Sequence, residues 1–221
     1  MTISLKAKLI GECHKAFFYA HEKGGGYSFR FYHSLRVMKY CEKFLQMDFF
    51  KKRVIDKDVL LTAALFHDIG KVKAVSKTGE LLYGSQANKQ HDIVGAQIVS
   101  EYVDKYFKNK RVVDKIKKII REQHSSEQSS LESKMVKDAD RFDNYGYLQI
   151  WRHITYAHQN RRNIDQVFEY WFIENARESA EAALKKFHYS IIRKVARDRF
   201  KKLDFLIKEI KKESEGLDIA K

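Results

Sequence analysis

A chain of 221 residues is long enough for a well-buried core, and its 44% hydrophobic and 13% aromatic content excludes wholesale disorder. The formal charge of +14 favours anionic partners such as nucleotides and phosphate esters, with nucleic acid less favoured. The Lys and Arg residues are scattered through NKRVVDKIKKIIR, RKVARDRFKK and IKEIKKESE, on faces that helices would expose, and no RNA-binding or zinc-finger signature accompanies them.

Proline is absent and glycine is confined to a few points, so the strongest helix breaker is missing and the chain reads as mostly helical. The GGG at 24–26 separates a first helix from a second near 30–49, where Leu35, Met38, Phe44 and Leu45 recur at helical steps. Asp56 or Asp58 caps a helix that carries Val59, Ala63 and Phe66 and ends at Ile69-Gly70. Residues 71–86 read as an exposed loop, followed by helices at 88–107 and 110–122. A polar linker, SSEQSSLES, precedes one or two helices over 134–160, and two long charged helices follow at 164–184 and 187–213. Period-two alternation is nowhere sustained, so the expected fold class is all-α. The expectation is a single helical domain over 1–221 with a C-terminal helical extension over 164–213. Apolar stripes on that extension (Phe168, Trp171, Phe172, Ile191, Phe200, Leu203 and Leu206) would suit a homodimer.

No apolar run reaches the roughly 18 residues of a membrane span, and MTISLKAKLIGECHKAFF has no signal-peptide pattern. Cys13 and Cys41 lie far apart in apolar helical patterns. A cytoplasmic protein without a disulfide framework is expected.

Six metal-ligand side chains recur in one order: His33, the adjacent pair His67-Asp68, His91, His124 and Asp140. Imidazoles and carboxylates hold Mn, Fe, Zn or Mg. His67-Asp68 closes an apolar helix in ALFHDIGKV, where polar groups must be satisfied. The bland alternative is a helix C-terminus with a dipole-favoured His and a capping Gly70.

Three segments, HSLRV at 33–37, FHDIGK at 66–71 and KDADRFDNYG at 137–146, together resemble the HD-domain superfamily of metal-dependent phosphohydrolases. The resemblance covers about residues 28–150 and implies a helical HD bundle with His33, His67, Asp68 and Asp140 as ligands. It favours Asp140 over Asp138 as the second Asp of the D-A-D motif, with Asp138 and Asp143 as neighbours. KQHDIVGAQIV is similar to the H-x-x-x-G-A helix of HD-GYP phosphodiesterases and other dinuclear HD proteins, and His124 closes DKIKKIIREQH where such relatives place a further ligand. That implies Asp68 bridging two metals, with His33, His67 and Asp140 on one and His91 and His124 on the other. The alternative is a mononuclear pocket in which His91 and His124 bind substrate phosphate. The extended GYP motif is absent, which argues against cyclic di-GMP.

The activity so implied is phosphohydrolysis of a nucleotide or other small phosphate compound. One or two divalent ions (Mn, Fe, Mg, Co or Zn) would lower the pKa of bound water. Asp68, Lys71 and Arg141 would serve catalysis, Lys71 and Arg141 by neutralising phosphate charge, and Arg30 with Tyr27 lies just upstream of the first ligand. Two other classes share the ligand order: HD-type di-iron oxygenases such as myo-inositol oxygenase, and silent HD modules that bind nucleotide or nucleic acid. Asp92 is a candidate partner or a surface residue. His14, His21, His153, His158 and His188 lack partner spacing. Tyr145, Tyr147, Trp151, Tyr156, Tyr170, Trp171 and Phe172 read as core, part of which would stack a base.

Overall fold

The structure is a computed structural model and describes residues 1–22 and 28–219, so the GGG and Tyr27 lie outside the described residues. It is all-α, as expected. Among the described residues there are twelve α-helices and no sheet, only two isolated bridges, His21 with Glu80 and Val75 with Leu81. The chain divides into two compact units, Met1–Asp140 and Arg141–Lys221.

The first unit contains α1 (Ile3–Phe17), α2 (Phe29–Phe44), α3 (Asp48–Lys51), α4 (Lys57–Phe66), α5 (Gln86–Lys89), α6 (His91–Val103), α7 (Lys110–Arg121) and α8 (Leu131–Phe142), the last running on into the second. Every residue of α4 from Val59 to Phe66 is buried, which makes it the central helix of the unit. It packs against α1, α2 and α7. Asp56 caps it by accepting the Val59 N–H at 3.2 Å, while Asp58 instead faces the N-terminal ammonium at 2.5 Å. On α7 the apolar stripe Val113, Ile116, Ile119 and Ile120 is buried and the lysines face water.

Two boundaries differ from the sequence expectation, both for reasons that bear on the site. First, α4 stops at Phe66 and a 3-10 helix, Ile69–Lys73, continues from it. Gly70 does not take the left-handed backbone of a capping glycine. It is required because a Cβ there would lie 1.9 Å from the His91 carbonyl oxygen and 2.6 Å from the Gly95 nitrogen. Second, the helix expected over 88–107 breaks at Gln90, between α5 and α6, so that α6 starts at His91. The 3-10 turn after α4 is thereby seated on the first turn of α6.

The second unit contains α9 (Leu148–Gln159), α10 (Ile164–Phe172), α11 (Ala176–Ala183) and α12 (Ser190–Ser214). The expected helix over 164–184 is interrupted at Asn175, whose φ of 59° lies in the left-handed region that Asn tolerates. A capping box between Asn163 and Gln166 starts α10. Phe168, Trp171, Phe200 and Leu203 are buried in this unit, so this part of the stripe assigned to a dimer is core. Among the aromatics expected in the core, Tyr145 and Trp171 are buried but Tyr147, Trp151 and Tyr156 are exposed.

Gly70→Ala forces backbone to move at the contact with His91 and is expected to cost about 1–3 kcal/mol. Gly95→Ala, whose Cβ would sit 3.1 Å from its nearest neighbours, is expected to cost less. Thermal unfolding of the two variants checks the order.

Candidate functional site

The six predicted side chains arrive at one place from separate elements of the first unit. His33 sits on α2, His67 caps the end of α4, and Asp68 opens the 3-10 turn. His91 is the first residue of α6, His124 ends a 3-10 turn after α7, and Asp140 lies near the end of α8. His33 Nε2 stands 3.2 Å from His67 Nε2 and 3.2 Å from Asp140 Oδ1, and His67 Nε2 is 3.7 Å from that oxygen. These three groups are close enough together to share one metal ion. Asp68 connects them to the other histidines. Its Oδ2 is 3.8 Å from His33 Nε2, and its Oδ1 is 3.7 Å from His67 Nε2 and 3.2 Å from His91 Nε2. His124 Nε2 is in turn 3.1 Å from His91 Nε2.

The donor set tests well for a divalent cation. The His67 Nδ1–H donates to the Ala64 carbonyl at 2.9 Å and the His91 Nδ1–H to the Asn88 carbonyl at 2.6 Å. Each bond orients its ring and turns Nε2 inward, the arrangement typical of metal-bound imidazole. Two pairs of Nε2 atoms then meet at hydrogen-bond distance beside carboxylates, which is tolerable only if protons or cations lie among them. Nitrogen and carboxylate donors together suit Mn, Fe, Zn or Co.

Charge is balanced by more than histidine. Lys71 Nζ is 2.7 Å from Asp68 Oδ2 and Arg30 Nη1 is 3.3 Å from the same oxygen. Burial alone would push the Asp68 carboxyl up, but Lys71, His67, His91 and Arg30 hold it well below the usual range. Asp140 behaves likewise, with His33 and His67 overcoming burial. Burial, aided by His91 and Lys137, lowers His124. His33, His67, Asp68 and His91 are buried, whereas His124 is exposed and the Asp140 side chain is 30% exposed, so the cluster opens to solvent on that side.

Other candidates fall differently. Arg30 and Lys71 are brought to the cluster. The Arg141 guanidinium instead donates to the Lys186 carbonyl and lies 3.5 Å from His188 Nδ1, within the second unit. Asp138 and Asp143 are buried, the latter paired with Arg152, and Asp140 is the one that meets the histidines. Asp92 is buried and is not a surface residue. Sequence reasoning missed Glu22, which holds Arg30 Nε at 2.7 Å, and Tyr83, whose hydroxyl accepts from Arg30 at 2.6 Å and donates to Glu22. Burial and Glu22 push the Tyr83 phenol up to about 12 against the opposing pull of Arg30, which keeps it a donor. No motif marks either residue, since a lone Glu and a lone Tyr are unremarkable until the fold buries them.

Titrating Mn²⁺ into chelator-treated protein should give a saturable heat of binding. His67→Ala should weaken that binding by roughly tenfold or more, in line with loss of one coordinating group. No saturable heat, or one unchanged in His67→Ala, would argue that the histidines bind no metal.

The HD domain model matches residues 30–145, a little over half of the chain and inclusive of all six residues. No curated protein matches. Among solved structures, Bacillus subtilis YpgQ in complex with ADP is similar at a TM-score of 0.66 and 19% identity, over 96% of this chain and 95% of that one. A HD-superfamily hydrolase from Bacillus thuringiensis gives a TM-score of 0.67 at 18% identity, over 95% and 96%. A predicted HD superfamily hydrolase from an uncultured Thermotogales bacterium gives 0.63 at 20% identity, over 94% and 91%. The helices, the His-Asp cluster they assemble and the match across it agree: this chain belongs to the HD domain family.

Proposed function

We propose that this chain is a metal-dependent phosphohydrolase that cleaves a phosphoester or phosphoanhydride of a nucleotide or other small phosphate compound. The observation that carries the reading is the convergence of His33, His67, Asp68 and Asp140, extended through Asp68 to His91 and His124. His33, His67 and Asp140 would hold one divalent ion. The position of Asp68 between the two histidine pairs favours a second, held by His91 and His124. When bound, such ions supply Lewis acidity and activate water at neutral pH.

The residues of the chain account for the rest. Ala64 and Asn88 carbonyls keep the ring nitrogens pointed inward, so the donors need no reorganisation. Lys71 and Arg30, both paired with Asp68, are the cations that would meet a phosphate brought to the cluster. Glu22, Asp68 and Tyr83 engage all three guanidinium nitrogens of Arg30 and fix it beside the cluster. The ADP held by the similar YpgQ supports a nucleotide. Arg141 enters only through its place beside Asp140 in the chain.

Metal content of protein purified without chelators, followed by release of phosphate or pyrophosphate from a nucleotide panel with Mn, Mg, Co or Fe(II), tests the reading. Activity is expected, with His67→Ala inactive but helical by circular dichroism. Inertness toward every phosphate compound would overturn it, and oxygen uptake by iron-loaded protein would assign the oxygenase class. Lys71→Ala and Arg30→Ala are each expected to lower kcat/KM by roughly 10- to 100-fold, the worth of a hydrogen bond to a charged group.

A further inference from the structure

Two cations stand on Asp68, and their surroundings differ. Lys71 reaches Oδ2 at 2.7 Å and, among the described residues, pairs with no other carboxylate. Arg30 reaches the same oxygen with Nη1 at 3.3 Å, while its Nε stands 2.7 Å from Glu22 Oε1 and its Nη2 donates to the Tyr83 hydroxyl at 2.6 Å. The Tyr83 hydroxyl donates in turn to Glu22. The guanidinium is therefore shared by two carboxylates, Asp68, which belongs to the His-Asp cluster, and Glu22, which does not.

The backbone is committed to this arrangement. The His21 N–H donates to the Gly79 carbonyl at 3.0 Å, and the Leu81 N–H donates to the His21 carbonyl at 3.0 Å. These bonds lay the residue before Glu22 against the segment that carries Tyr83. Gly79, at a φ of 88°, approaches so closely that a Cβ would lie 2.1 Å from the Tyr19 carbonyl oxygen. Glu22 is buried, and among the described residues Arg30 is the one cation it meets. A carboxylate in that position is costly, and its charge has a consequence for the cluster.

A divalent ion drawn to Asp68 meets a carboxylate that Arg30 already neutralises in part. Unit charges about 4 Å apart interact by roughly 4 kcal/mol near a protein surface, so a single neighbouring charge is felt strongly. Glu22 offsets the positive charge of Arg30 through a different nitrogen. Asp68 is then satisfied when no ion is bound and still attracts one.

We infer that Glu22 sets the cation affinity of the His-Asp cluster, as a positioning residue that acts through Arg30 and does not touch the ion. The inference rests on reading the cluster as a cation site. A Glu22 that merely braced Arg30 would act as Tyr83 does, whereas an electrostatic Glu22 acts through its charge.

Full-length, chelator-treated protein is titrated with Mn²⁺, and the EPR signal of the free ion counts what remains unbound. Glu22→Gln keeps the shape and removes the charge, and is expected to bind Mn²⁺ roughly tenfold more weakly than the unaltered chain. Glu22→Asp, which retains the charge, and Tyr83→Phe, which removes a hydrogen bond and no charge, are expected to bind within about threefold of it. Arg30→Gln should tighten binding, and combining it with Glu22→Gln should bring the affinity back toward that of the unaltered chain, a compensation that lost packing does not produce. An affinity unchanged in Glu22→Gln, or lowered equally in Tyr83→Phe, overturns the inference and leaves Glu22 as a brace. Should Glu22→Gln fail to fold, Arg30→Gln decides alone, and an affinity unchanged or lowered there overturns it. If the unaltered chain binds no Mn²⁺, the cation reading of the cluster falls and this inference with it. Binding that is lost in His67→Ala but indifferent to Glu22 sinks the inference alone.

Discussion

Asp68 is a carboxylate with almost no access to water, and the candidate site is organised around the cost of putting it there. An unpaired buried carboxylate is disfavoured by several kcal/mol even after relaxation. Here the charge is met on one oxygen by Lys71 and Arg30 and on the other by His91 and His67. His67 and Lys71 flank Asp68 in the chain, whereas Arg30 and His91 are brought to it from distant helices, α2 and α6. Their convergence satisfies Asp68 and, at the same time, collects donors that a divalent ion requires. The same electrostatics that makes the carboxylate tolerable makes the place attractive to a cation and then to a phosphate.

The geometry that brings this about is a backbone contact. Gly70 presses the turn after α4 against the first turn of α6, at a spacing that leaves no room for a Cβ. Because His67 and Asp68 precede that contact and His91 opens α6, the close approach sets the distance between the two histidine pairs. The apolar helix α4, buried along nearly its whole length, anchors one side. The carbonyls of Ala64 and Asn88, each three residues before its histidine, set the ring orientations. Positioning therefore rests on packed helices and backbone groups, which move little, and not on mobile side chains.

The Arg141–Lys221 unit follows a different logic. Its core is aromatic, and its charged anchor is Asp204, held by Arg177 at 2.8 Å and by Lys208 at 2.8 Å. Small residues on α11 leave a space there that the large side chains of α10 and α12 border without filling. An interior that normally packs densely is open at this point.

The sequence alone determined the helical class, from the absence of proline and the three-to-four-residue apolar spacing, and it named all six side chains of the cluster together with Lys71 and Arg30. Those features are local: periodicity and short strings such as FHDIGK are written in consecutive residues. Tertiary structure alone decided that α4 ends at Phe66, that α6 begins at His91 and that Gly70 serves a close approach and not a cap, because helix ends here answer to contacts between elements. It also turned Asp92 inward, engaged Arg141 with Lys186 and His188, and recruited Glu22 and Tyr83 around Arg30. Partners far apart in sequence, such as Arg30 and Tyr83 at 53 positions, leave no periodic trace in the chain, since such a contact is specified by where two elements meet and not by what lies beside either partner in sequence.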